Sequence, residues 1–210
     1  MTKQIIIALA TEGNTDIRFL ESIIKRTFEK IAFQCSDSIE IFDPIYLNKP
    51  QGNIQEKALN YADQIVKSGA MVFCLHIDAD DKTDKQAFNN QINPAFNMIK
   101  NHYPELSNGL IAIIPVQMTE AWMLADKELL KRELCTKEND AELGINKPPE
   151  AFADPKEIIE KVIIIATQKL GKRRRSKLKI DDLYQPLGQK IKLEKLENLS
   201  SYQKFKETVI

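Results

Sequence analysis

The chain has 210 residues, 43% hydrophobic and 29% charged, which supplies a core for one large domain or a domain with a helical appendage. Thirty Lys and Arg balance thirty Asp and Glu, so bulk charge selects neither nucleic acid nor a membrane as partner. Three widely spaced cysteines, Cys35, Cys74 and Cys135, with no CxxC or HxxxH pair, argue against a disulfide framework and a structural zinc site. They fit a reducing compartment. The apolar run Ile5 to Ala10 is too short for a signal-peptide core, and no run approaches the ~18 residues of a membrane span. A cytoplasmic protein is therefore expected.

Ile5 to Ala10 shows no in/out alternation, which predicts a strand covered on both faces, as in a parallel sheet. It runs into Thr11-Glu12-Gly13-Asn14-Thr15-Asp16, where Gly13-Asn14 is turn chemistry and Thr15 a helix cap. Asp16 then sits in a first helical turn, which favours an anion. Phe19, Leu20, Ile23, Ile24 and Phe28 carry that helix over about 16–33. Residues 38–47 read as a strand weakened by Pro44. A helix over 54–68 follows, with Ala58, Ala62, Ile65 and Val66 inward. Residues 70–78 form the next strand, 84–101 a helix, and 110–116 a fourth strand. Thr119 caps a short apolar helix containing Glu120 and Trp122. Beyond 127 strand signals are scarce. Leu129, Leu130 and Leu134 suggest a helix, 146–155 is a Pro-rich connector, and Asp154-Pro155 opens another helix. Two amphipathic stretches, 180–191 and 200–209, complete the pattern. The expected architecture is α/β over 1–126, a mainly parallel sheet flanked by helices, with a helical C-terminal extension, 127–210, packed on it.

The chemistry gathers at strand ends. Ala70 to Leu75 drives through His76-Ile77 into Asp78-Ala79-Asp80-Asp81, and like charges so close repel unless solvent, protons or a cation neutralises them. In a parallel sheet the carboxyl ends of the strands share one edge, where ligands bind. Glu12 and Asp16, then Asp78, Asp80 and Asp81, then Glu120 all fall at that edge. Alternation puts Asp78 and Asp80 on one side of an extended segment. Hard oxygen donors with no His or Cys among them favour Mg²⁺ or Mn²⁺ over zinc. Asp81 is equally a cap for the following helix, Asp16 a helix N-terminal anion, His76 a satisfied core histidine, and Trp122 core. The run Lys169 to Lys179 packs seven cations into eleven residues, and Lys172, Arg173, Arg174, Arg175 and Lys177 are its nucleic-acid candidates.

Glu12-Gly13-Asn14-Thr15-Asp16 after one strand and Asp78-Ala79-Asp80 after a later one resemble the Toprim fold of topoisomerases, bacterial primases and OLD nucleases. Thr119 to Asp126 (TEAWMLAD), Asp154-Pro155-Lys156 and Ser201 to Phe205 resemble an uncharacterised Toprim-like family of bacterial proteins, often encoded beside ATPases and linked to phage defence. The resemblance implies Glu12 as metal ligand or general acid/base, and Asp78 and Asp80 as ligands of Mg²⁺ or Mn²⁺. Asp81 joins the metal set, and Asp16 and Glu120 support the catalytic one. It implies phosphodiester hydrolysis of nucleic acid, DNA before RNA, with a separate ATPase subunit as partner; a homodimer is compatible with it. The chain departs from topoisomerases and primases in lacking a recognisable nucleophilic-Tyr domain or zinc domain. The competing reading is a non-catalytic protein that keeps the fold and binds nucleic acid or an ATPase. An Asp-x-Asp phosphotransferase or glycosyltransferase fits less well, because Lys82 stands where the former wants Thr or Val and the latter leaves Glu12-Gly13 unexplained.

Overall fold

The computed structural model describes residues 2–168 and 178–209, so the basic candidates Lys172, Arg173, Arg174, Arg175 and Lys177 lie outside the described residues. The first apolar run is divided at Ile6 into β1 (Lys3–Ile5) and β2 (Ile7–Ala10). At the break the Ile6 carbonyl accepts from the N–H groups of both Met71 (2.9 Å) and Val72 (3.3 Å). The second is divided into β3 (Ile39–Ile41) and β4 (Ile45–Tyr46) around Pro44, which has no N–H to give a ladder. β5 (Val72–His76) and β6 (Leu110–Ile113) complete the set. β1 pairs with β3, and the larger sheet runs β4-β2-β5-β6, with every pairing parallel. The protein is thus α/β, as expected.

β2 is buried along its whole length, which is why its sequence does not alternate. Ile7, Leu9, Cys74, Ile111 and Ile113 face one side, and Ala8, Ala10, Phe73 and Leu75 the other. α1 (Asn14–Ala32) covers the first face; α2 (Ile54–Ser68) and α4 (Asn93–His102) cover the second. Helix α1 begins one residue before Thr15, so Thr15 is inside it and does not cap it. Its free N-terminal N–H at Gly13 is taken by the Asp16 carboxylate at 2.9 Å. Asn53 and Glu56 exchange side-chain and backbone hydrogen bonds of 3.0 and 2.9 Å to start α2, and Gly69 ends it at φ 68. Val66 points to solvent instead of inward; Tyr61 takes the buried position.

The helix expected over 84–101 is interrupted. A short α3 (Lys85–Ala87) opens into a π-helical turn, Phe88–Ile92, before α4 resumes. Pro94 explains it: the ring clashes with the carbonyl four residues back and offers no N–H, so the backbone widens upstream.

The remaining helices are α5 (Thr119–Met123), α6 (Lys127–Glu133), α7 (Pro155–Thr167), α8 (Tyr184–Lys190), α9 (Leu193–Leu196) and α10 (Ser200–Val209). Asp126 and Asp154 cap α6 and α7 through the N–H groups of Leu129 (3.0 Å) and Glu157 (2.8 Å). These helices close over the α1 face and share its core. Trp122 is fully buried, donates to Ser201 Oγ at 2.7 Å and packs against Tyr202 and Phe205. Gly188 lets α8 touch α1, since a Cβ there would stand 2.3 Å from the Phe19 carbonyl oxygen. The Arg26 guanidinium donates to the Gly188 and Ile191 carbonyls, both at 2.7 Å, and so finishes the open end of α8.

Candidate active site at the carboxyl edge of the sheet

β2, β5 and β6 deliver their following loops to one edge. The pairing of β5 with β6 continues past the strands: the N–H groups of Ile77, Ala79 and Asp80 donate to the carbonyls of Ile113 (3.1 Å), Pro115 (3.0 Å) and Gln117 (2.8 Å). The Gln117 N–H returns a bond of 2.9 Å to the Asp81 carbonyl. Asp80 and Gln117 both turn left-handed there, at φ 48 and 63. Asp is among the residues that tolerate this region best. The turn ends the extended geometry at Asp80, so alternation no longer decides the side its carboxylate takes. Asp78 is half-buried and Asp80 exposed.

Asp78 is held from the β6 side. Its Oδ1 accepts from the Thr119 N–H (2.8 Å) and hydroxyl (3.1 Å). His76, two residues earlier on the same face of the strand, brings Nε2 to 3.3 Å from the same oxygen and 2.9 Å from the Thr119 hydroxyl. One proton arrangement satisfies all three groups: Nε2–H donates toward Thr119 and Asp78, and the hydroxyl donates to Asp78. The hydrogen bonds that the described residues give the Asp78 carboxylate all fall on Oδ1, which leaves Oδ2 turned to other ligands. On the imidazole's opposite side Nδ1 is buried without a hydrogen-bond partner, 3.9 Å from Asp16 Oδ2.

His76 is therefore not the satisfied core histidine its apolar neighbours suggest. Burial works to lower its pKa. The hydrogen bond to Asp78 and the charges of Asp78, Asp16 and Glu12 outweigh burial, and the net shift is upward, toward the imidazolium. The imidazole thus lies among the acids, which favour its protonated form.

Glu12 reaches across from β2, its Oε2 3.4 Å from the Asp78 N–H. Desolvation raises its pKa, reinforced by the charges of Asp78 and Asp80 and opposed by the Asp78 N–H and His76. Lys49 donates to the Glu12 carbonyl at 2.8 Å and pins the turn. Asp16 is 8% exposed and its pKa is raised, first by burial and then by Asp78, against the pull of His76 and the Gly13 N–H. Glu120 is 5% exposed; burial raises its pKa, while the Tyr184 hydroxyl donates to Oε1 and partly restores the carboxylate. Glu12, Asp16 and Glu120 thus each lie within electrostatic reach of Asp78, and Asp80 within reach of Glu12. Asp81 stands apart. Its Oδ1 accepts the Lys82 N–H at 2.7 Å within its own turn, and it does not cap α3, whose preceding residue is Asp84. Among the described residues, no three His, Cys, Asp or Glu side chains close on one point as a ready-made metal cage.

Three residues of this arrangement escape a reading by motif. His76 was recognisable by parity, two residues before Asp78 on one strand face. Thr119 reads as a cap, yet Met118 precedes α5 and the Thr119 hydroxyl serves Asp78 and His76 instead. Tyr184 comes from α8, sixty-four residues from Glu120, with no local signal.

No helix among the described residues is long and apolar enough to cross a membrane. No curated protein and no solved structure gives a significant match to the chain. A family model described as a domain of unknown function, DUF4276, matches residues 11–206, nearly the whole length, and the chain belongs to that family.

Proposed function

We propose that this edge hydrolyses phosphodiester bonds in nucleic acid with the help of Mg²⁺ or Mn²⁺, as a Toprim-like nuclease. The observation that carries the reading is Glu12 from the β2 loop meeting Asp78 from the β5 loop, with Oε2 3.4 Å from the Asp78 N–H. The donor chemistry suits a hard cation. Mg²⁺ keeps several waters and takes only one or two carboxylates besides substrate phosphate, so it needs no three-residue cage. Glu12 and Asp78, with exposed Asp80 and half-buried Asp81 at the rim, are the residues that would hold it. The cation would neutralise phosphoryl charge and lower the pKa of a bound water. Thr119 and His76 orient Asp78. Glu12, with its raised pKa, is placed to accept a proton from water. Asp16 and Glu120 set the charge balance behind them. The basic run around Arg173, Arg174 and Arg175 would hold the phosphate backbone of DNA. A cytoplasmic effector working with a separate ATPase subunit in phage defence, alone or as a homodimer, is the setting that fits this chemistry.

The test is cleavage of labelled DNA, single- and double-stranded, with Mg²⁺ or Mn²⁺. Asp78→Asn and Glu12→Gln should each lose roughly a hundredfold or more, the scale of a removed acid/base or charge-stabilising group. Equal activity in all three proteins overturns the reading.

One observation favours a second reading. His76 Nε2 stands 3.3 Å from Asp78 Oδ1 and its pKa is shifted upward, so the acids have an internal partner beside them without a metal. A fold-retaining protein that only binds nucleic acid or an ATPase would have that property. Calorimetry showing no heat with millimolar Mg²⁺ or Mn²⁺ selects it.

A further inference from the structure

Beside Glu12, on the α2/α4 side of the sheet, lies a cavity of about 150 Å³. At ~30 Å³ per water this holds about five waters. It is smaller than the ~300–1,000 Å³ that takes a whole drug-sized ligand. Leu75 and Ile77 form its apolar wall. Its polar lining comes from Lys49, Lys57, Tyr61 and Gln91. Lys49 is already engaged with the Glu12 carbonyl, which fixes one cation at the mouth next to the acid edge. Lys57, half-buried on α2, makes no ion pair among the described residues, nor does the exposed Gln91 amide or the buried Tyr61 hydroxyl make a side-chain hydrogen bond there. An apolar slot with an unpaired ammonium, amide and phenol converging on it is the usual composition of a ligand site. Gln91 belongs to the π-helical turn Phe88–Ile92, and such turns recur at functional sites.

We propose that this cavity receives one unpaired nucleobase of a nucleic-acid strand whose adjoining phosphate lies on the Glu12–Asp78 edge. The inference rests on the nuclease reading and narrows its substrate to single-stranded or locally unpaired nucleic acid. The volume is on the scale of a single planar base. Leu75 and Ile77, on one side of the strand, give one of its faces an apolar wall, and Gln91 and the Tyr61 hydroxyl offer donors and acceptors to its edge, as amide side chains do for bases elsewhere. Lys57, in the lining shared with Glu12, is the cation that meets the strand's phosphate. A base paired within a duplex cannot enter without being flipped out, which costs a few kcal/mol.

The experiment measures binding without divalent cation, so that it does not depend on cleavage. Fluorescence anisotropy follows a labelled single-stranded DNA oligonucleotide, its duplex, and competition by a free nucleoside 5′-monophosphate, over a salt series. Lys57→Ala should bind the single strand roughly tenfold more weakly, and its log affinity against log salt should flatten by about 0.7, the slope of one phosphate contact on a single strand. Gln91→Ala should weaken binding with the slope unchanged and leave duplex binding alone. Gln91 is exposed and Lys57 half-buried, and an unchanged circular dichroism spectrum confirms each variant is folded. Wild-type affinity and slope in both variants overturns the proposal, as does equal dependence on Gln91 for duplex and single strand. A monophosphate that binds while the oligonucleotide does not overturns the strand assignment and points to a free nucleotide. Loss of cleavage in Asp78→Asn with unaltered binding in Lys57→Ala and Gln91→Ala rejects the cavity and keeps the nuclease. The reverse pattern keeps the cavity and rejects the nuclease.

Discussion

Glu120 and His76 make the edge sensitive to pH in one direction. Burial holds the Glu120 proton to a higher pH in the folded chain than in the unfolded one, and Asp16 behaves alike. The folded state then binds more protons over that window, so stability falls as pH rises through it. His76 adds to this. Its folded pKa lies above the unfolded value of ~6.5, so its stabilisation is complete below that pH and is lost as pH rises through the folded pKa. Urea unfolding in chelator-treated buffer should therefore show greater stability near pH 5.5 than near pH 8, and Glu120→Gln should flatten the curve. A curve that rises toward pH 8 contradicts the assignment. Thr119 is the hinge of the polar cluster. Thr119→Val should cost about 1–3 kcal/mol by removing the hydroxyl that bridges Asp78 Oδ1 and His76 Nε2, and Thr119→Ser should restore most of it. The acids themselves were legible from the chain, because an apolar run ending in carboxylates is a local pattern. The imidazole's surroundings were not, since they depend on Thr119 from the start of α5. Nor was the turn at Asp80, whose left-handed backbone comes from pairing with the Gln117 loop.

At the level of elements, α8 is docked on α1 by the absence of a side chain. Gly188→Ala should push the two helices apart and cost about 1–3 kcal/mol, the usual penalty of overpacking. In a chain of this size each 1 kcal/mol moves Tm by roughly 2–4 °C, so calorimetry resolves it. The four strand runs, and the helices between them, are readable because continuous apolar runs and 3.6-residue spacing are properties of short windows. Their interruptions are readable only in part. Pro44 and Pro94 announce the breaks at 42–44 and 88–92, but the break at Ile6 arises from the way Met71 and Val72 share its carbonyl. Which helix face Val66 joins likewise depends on what α4 leaves uncovered.

Across the whole molecule, the residues after 127 are built into the core on the α1 face and are not a separate layer. Trp122 is the single tryptophan, and its emission therefore reports that shared core alone. Unfolding followed by Trp122 fluorescence and by far-ultraviolet circular dichroism should coincide in one transition. Two separated midpoints would mean that the helical region and the sheet melt independently.

The packing of Trp122 also sets a clock on biosynthesis. Its indole partner Ser201 lies seventy-nine residues downstream, followed by Tyr202 and Phe205. At ~5–20 residues per second a ribosome needs roughly 4–16 s to make that stretch. During this interval α5, which carries Thr119 and Glu120, has no finished surface to lie on, so the acid edge is among the last parts of the newborn protein to take shape. A chain cut after Leu199 should emit from Trp122 at the longer wavelengths of a wet indole; unshifted emission would show that α5 settles without its late partners.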